Sequence, residues 1–242
     1  MANAKPKKNI TPPTKELSLN GLTKLSQGVA QELAKLKGYL YLNGLSSIDS
    51  APAKELAKFD GELHLNGLSS INNALAKELV QFKCGLMLGG LKTIDKALAQ
   101  ELEKFKGGLG FEGLTTIDNK LASILANFEA ETLVLEGLTA IDNDAAQELV
   151  KFKGKFLWLG GIQSLNKGLA SQLIAFKGIL YLTGVTQLNK ETAEQLVKKS
   201  GAGRVIIGNG MKGKEGPLFD KDALKIIDTS TLVRIQNREL YP

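Results

Sequence analysis

The stretch Gly61–Lys83, GELHLNGLSSINNALAKELVQFK, decides how this chain folds. It opens on alternation, with Leu63 and Leu65 on one face and His64 and Asn66 on the other, which is the period of a strand. Gly67, Leu68 and Ile71 follow, and then Asn72, whose side-chain oxygen can cap a helix by accepting an early backbone N–H. Behind it Leu75, Ala76, Leu79 and Phe82 recur at helical spacing. One short strand and one short helix are therefore written into a single stretch.

Outward from Gly61–Lys83 the pattern repeats. Counted from the first leucine of each L-x-L, units begin at Leu17, Leu40, Leu63, Leu86, Leu109, Leu133, Leu157 and Leu180. The step is twenty-three residues, with twenty-four into Leu133 and into Leu157. Fixed spacing of this size marks a solenoid, in which each unit buries its apolar side against its neighbours. A glycine stands four places after each first leucine, from Gly21 and Gly44 to Gly184, and predicts either positive φ or a close backbone approach. Ser26, Asp49, Asn72, Asp95, Asp118, Asp142, Asn166 and Asn189 predict eight capped helices. Pro52 falls in a first turn, where a missing N–H costs little. Gly38, Gly61, Gly107, Gly154 and Gly178 predict left-handed helix ends. Phe59, Phe82, Phe105, Phe128, Phe152 and Phe176 share one phase and predict a buried spine. Glu32 with Lys35 and Glu55 with Lys58 predict a solvated outer helix face.

The run L-x-L-x-G-L-x-x-I and the Phe-ended helix behind it, from about Glu16 to Gly201, resemble a leucine-rich repeat protein. The resemblance implies an α/β horseshoe, with a parallel sheet on the concave face and short helices on the convex one. The family usually carries an asparagine five places after the first leucine, where it bonds the turn backbone. This chain instead has Leu22, Leu45, Leu68, Leu91, Leu114, Leu138, Ile162 and Val185, so its turns need another partner. The expected division is a disordered basic tail over 1–14, eight repeats over 15–200 and a capping region over 201–242. The last region is expected to hold a helix near Lys221–Ile227 and a strand near Leu232–Ile235.

Composition, at 43% hydrophobic and 23% charged, is that of a soluble globular protein. Cys84 is the single cysteine, which excludes an intramolecular disulfide and zinc sites built from several thiolates. A reducing, cytoplasmic setting fits best, and export with a trimmed leader stays open. No run of about eighteen apolar residues offers a membrane span. The net charge of +6 sits at the ends: four lysines in the first fifteen residues, and nine basic against five acidic residues from Lys198 onward. The repeats between are net negative. A protein that wraps nucleic acid would carry its basic stripe along the repeats, so no nucleic-acid partner is expected.

Outward strand positions are where recognition is expected. Tyr39, Tyr41 and His64 stand on one side, and Phe156, Trp158, Ile179 and Tyr181 on the other. Met87 lies between them, with Gly85, Gly89, Gly108 and Gly110 as a low floor and Glu112 and Glu136 as an acidic edge. Tyr and Trp anchors around a depression are what interaction surfaces use. The expectation is a monomeric, non-catalytic module that binds a protein or peptide through Tyr39, Tyr41, His64, Met87, Glu112, Glu136, Phe156, Trp158 and Tyr181. Glycan or small-ligand binding by ring stacking is one alternative. A structural spacer within a longer polypeptide is another. The plainest reading of the rings is that they pack on one another or under the C-terminal capping region.

Catalysis, metal binding and cofactors are not expected. Catalysis by His64 would need a nucleophile and an orienting acid beside it, and Cys84 is poorly placed for that, since it ends a helix behind the sheet. The run Gly208–Gly213 matches G-x-G-x-x-G, but Lys214–Pro217 stand where a dinucleotide site needs a helix to open. It reads as a loop of the capping region.

Overall fold

The computed structural model describes residues 15–83, 85–198, 203–208, 218–219, 222 and 233–236. The alternating segments form strands β1 (Glu16–Ser18), β2 (Lys37–Tyr41), β3 (Asp60–His64), β4 (Gly85–Met87), β5 (Gly108–Gly110), β6 (Thr132–Val134), β7 (Phe156–Trp158) and β8 (Ile179–Leu182). Four further strands follow: β9 (Gln187–Leu188), β10 (Arg204–Gly208), β11 (Leu218–Phe219) and β12 (Val233–Gln236). Strands β1 to β8, then β10 and β12, lie side by side in one all-parallel, ten-stranded sheet, and β11 pairs with β9 apart from it. The first leucines face one another in register, as Leu40 faces Leu63 and Leu109 faces Leu133.

Between the strands run helices α1 (Gln27–Leu33), α2 (Ser50–Leu56), α3 (Asn73–Leu79), α4 (Lys96–Leu102), α5 (Asn119–Ala126), α6 (Asn143–Leu149), α7 (Lys167–Leu173) and α8 (Lys190–Leu196). Isolated helices this short are unstable in water, so packing holds them. Leu75, Ala76 and Leu79 of α3 are buried with most of their counterparts in the other helices, in one core with the paired strand leucines, while Val29 of the first helix is exposed. The six phenylalanines of the spine are all buried, and Phe152 stacks on Phe176 with centroids 6.2 Å apart. The result is a repeating β–α solenoid with a parallel sheet and short helices packed against it, consistent with a leucine-rich-repeat-like fold.

Several local expectations change. Seven of the eight caps accept a backbone N–H three residues on, as Asn72 does from Leu75 at 2.8 Å. Asp49 makes no such bond, because the residue three places on is Pro52, which has no N–H. From Gly44 onward, the glycines after each L-x-L are there for proximity and not for φ. A Cβ on Gly90 would lie 2.3 Å from the Leu68 carbonyl oxygen, and one on Gly44 would lie 2.2 Å from that of Asn20. The glycines expected to end helices stand beyond right-handed C-caps, as Gly61 does beyond Ala57 and Gly154 beyond Val150. Gly38 alone among the described residues has positive φ, at 108°. Gly61 is needed because a Cβ there would meet the Gly38 carbonyl oxygen and the Phe59 ring.

In the first three units an asparagine ladder two places earlier supplies a backbone partner between neighbouring turns. Asn20 Oδ1 accepts the Asn43 N–H at 3.0 Å, Asn43 accepts that of Asn66 at 2.9 Å, and Asn66 accepts that of Gly89 at 2.7 Å. The extra residues before Leu133 and Leu157 do not widen the sheet, whose register is unbroken there. They are absorbed ahead of the strands: Lys155 and Phe156 both donate to the Glu131 carbonyl, two residues against one, as in a bulge. Glu55 is not a solvated residue. It is buried beside α1, taking hydrogen bonds from Gln27 and Lys58.

Residues 1–14, Cys84 and most of the Gly208–Gly213 and Lys221–Ile227 runs lie outside the described residues. The strand expected near Leu232–Ile235 is β12, which pairs with β10.

Candidate functional site

The core lies between sheet and helices, so the other face of the sheet is left to the outward side chains. Those of β2, β3, β7 and β8 stay partly accessible: Tyr39 is 36% exposed, and Tyr41, His64, Phe156, Trp158 and Tyr181 are half-buried. No described element covers them. Met87 is the exception, at 7% exposure, because its sulfur lies over Gly110, where a Cβ would approach it to 2.2 Å.

The strand register brings the rings together in two groups. Tyr41 faces His64 across β2 and β3, with ring centroids 4.2 Å apart and planes 20° apart. Trp158 faces Tyr181 across β7 and β8, at 3.7 Å and 3°. Phe156 meets Tyr181 at 6.4 Å, tilted by 47°. Parallel strands lie about 4.8 Å apart, so rings stacked across them stand upright on the sheet with their faces turned to each other. The rings thus do pack on one another, and they do so while remaining half-exposed.

The glycine floor is narrower than the sequence implies. Neighbouring side chains fold into the space that a Cβ would take: Glu62 over Gly85, Met87 over Gly110, and Glu112 over Gly89, with gaps of 2.9, 2.2 and 2.8 Å to the built Cβ. Gly108 keeps more room, its nearest side-chain atom being Thr132 Cβ at 3.6 Å. On the far side Glu136 lies along Gly160, 3.4 Å from the built Cβ. Glu112 and Glu136 therefore lean apart, each over the glycine of its outer neighbour, as two like charges on adjacent strands should.

Glu112 is the most perturbed group on this face. Its Oε2 is buried and has no hydrogen-bond partner among the described residues. Burial pushes its carboxyl above the usual carboxylate range; its own backbone N–H and His64 oppose this, and Glu136 and Glu62 add to it. Burial first, then Glu16 and Glu62, likewise raise the Tyr41 phenol. His64 Nε2 lies 2.8 Å from Glu62 Oε1 as an ion-pair contact in distance, without the alignment of a hydrogen bond. Glu62 and the asparagine ladder are the parts of this face that the sequence reading passed over. Both repeat at fixed phase, Glu62 one place before a first leucine and Asn20, Asn43 and Asn66 three places after one.

No Ser, Thr or Cys among the described residues hydrogen-bonds to His64. No group of three or more His, Cys, Asp or Glu among them could hold a metal ion, and no helix among them is long and apolar enough to cross a membrane. The arrangement is consistent with an interaction-type surface, and no catalytic constellation is seen among the described residues. Neither the protein-family models nor the curated proteins provide a match to the chain.

Proposed function

We propose that the protein is a non-catalytic interaction module that receives a protein or peptide partner on the helix-free, concave face of its sheet. One observation carries this reading: that face keeps its only Trp, its only His and three of its four Tyr partly accessible instead of sealing them in the core. Large amphipathic rings held by stacking lose little freedom on binding, which is what makes Tyr and Trp effective anchors. Solenoid sheets also offer an extended rigid surface, so little ordering is needed at contact.

A protein partner is favoured over a glycan. Sugars stack on ring faces, and here Trp158 gives one face to Tyr181 while Tyr41 gives one to His64. Half of the stacking surface of these rings is thus already used, and beside it stand ring edges, polar tips and carboxylates, the mixture that peptide side chains and backbone groups fit. Replacing Trp158 by Ala should weaken partner binding by roughly 2 kcal/mol or more, because an anchor and its stack are lost together. Calorimetric titration of Trp158→Ala and Tyr41→Ala tests this, and unchanged affinity in both would remove the site.

A further inference from the structure

The charge on this face departs from that of the repeats around it. The basic excess of the chain sits at its two ends, and the repeats between carry lysines and carboxylates in nearly equal number, so an average patch there should hold both. Yet from β1 to β8 the outward positions one before, one after and three after each first leucine hold four carboxylates and no lysine or arginine. The carboxylates are Glu16, Glu62, Glu112 and Glu136. Three of the lysines bordering the sheet are already matched: Lys37 lies 3.1 Å from Asp60, Lys155 lies 2.8 Å from Glu131, and Lys106 pairs with Glu129. Lys37, at the start of β2 and facing Asp60, is the one basic residue at an outward position within strands β1–β8, and the next is Arg204, out on β10.

We propose that the face selects a basic protein segment, with a lysine or arginine of the partner seated between Glu112 and Glu136. This rests on the reading of the face as a recognition surface and names what the partner must present. Glu62 is engaged with His64, but neither Glu112 nor Glu136 has an ion-pair partner among the described residues. Glu112 also holds a buried oxygen that no donor satisfies, which a guanidinium or ammonium would relieve. Half-buried Val134 and the upright Trp158–Tyr181 stack stand beside Glu136 and Gly160, where the apolar stem of such a side chain can lie. Electrostatic complementarity of this kind sets partner choice and encounter rate more than bulk affinity. It also repels nucleic acid, whose phosphates would meet the same carboxylates.

The test is an array of random peptides probed with the full chain, its E112Q/E136Q double variant and its Trp158→Ala variant. The expected result is that bound peptides are enriched in lysine and arginine. They should lose about tenfold or more in affinity on the double variant, and should weaken as salt is raised on the unaltered chain. Bound peptides that are neutral or acidic, depend on Trp158 and ignore E112Q/E136Q would overturn the charge inference while leaving recognition on this face intact. No peptide bound by any form would overturn both. A labelled oligonucleotide that binds, and binds better to E112Q/E136Q, would also overturn the inference.

Discussion

At Asp49 a capping side chain has no N–H to receive, since Pro52 occupies the place that donates in the other seven units. Asn72 should therefore lose about 1 kcal/mol when changed to Ala, whereas Asp49→Ala should cost a few tenths at most. Denaturant melts of the two variants decide it, and equal losses would contradict the account of the cap. Glu112 gives a second test at this scale. Burial raises its carboxyl in the folded protein, so the native state holds the proton more tightly than the unfolded chain does. The stability linked to it is complete below the unfolded-state value and is lost as pH rises through the folded-state one. The groups facing it are His64 and Glu62 from β3 and Glu136 from β6, and the net effect of burial and charge is upward. Glu112→Gln should accordingly raise Tm at neutral pH, with the gain shrinking as the medium is acidified through the carboxylate range. A lower Tm at neutral pH would show that the ionised carboxylate is stabilised after all.

Among the elements, the turns after each strand carry most of the geometric constraint. A Cβ on Gly90 would meet the Leu68 and Asn66 carbonyl oxygens at 2.3 and 2.6 Å, which are backbone atoms of the preceding unit. The same atom on Gly21 would meet nothing within 4 Å, since no described coil precedes it. Gly90→Ala should cost roughly 1–3 kcal/mol through forced displacement of packed backbone, and Gly21→Ala should be close to neutral. Chemical denaturation of this pair checks the claim, and a costly Gly21→Ala would return the argument to backbone dihedrals. The phase of these glycines was plain in the sequence, but their purpose was not. Composition marks a glycine equally for positive φ and for proximity, and proximity depends on the carbonyl of a residue twenty-odd places back. The asparagine ladder was legible in the same way, by its spacing, yet only the strand register shows Asn43 accepting from Asn66. Short apolar strands, capped helices and the phenylalanine spine could be read directly because each is a local or periodic pattern.

Over the whole molecule, repetition places like residues in rows, and so a change of residue type along a row becomes a feature of the surface. Three asparagines give way to Gly89 and then to Glu112 and Glu136 along one row. Along another, Tyr41 and His64 pass through Met87 and Gly110 to Trp158 and Tyr181. The positions on the face could be read from period alone. How their side chains share space could not, because Met87 and Glu112 settle over glycines of adjacent units and the rings choose each other. The face that results is accessible and acidic on a chain that is basic in sum, and this contrast is its most testable property. The only tryptophan, Trp158, stands on that face beside Glu136. Quenching of its fluorescence by caesium and by iodide, each scaled to free indole, therefore reads both access and local charge. The account predicts that caesium quenches more effectively than iodide, and that E112Q/E136Q abolishes the preference. Shielding from both ions, or a preference for iodide in keeping with the overall charge of +6, would contradict it.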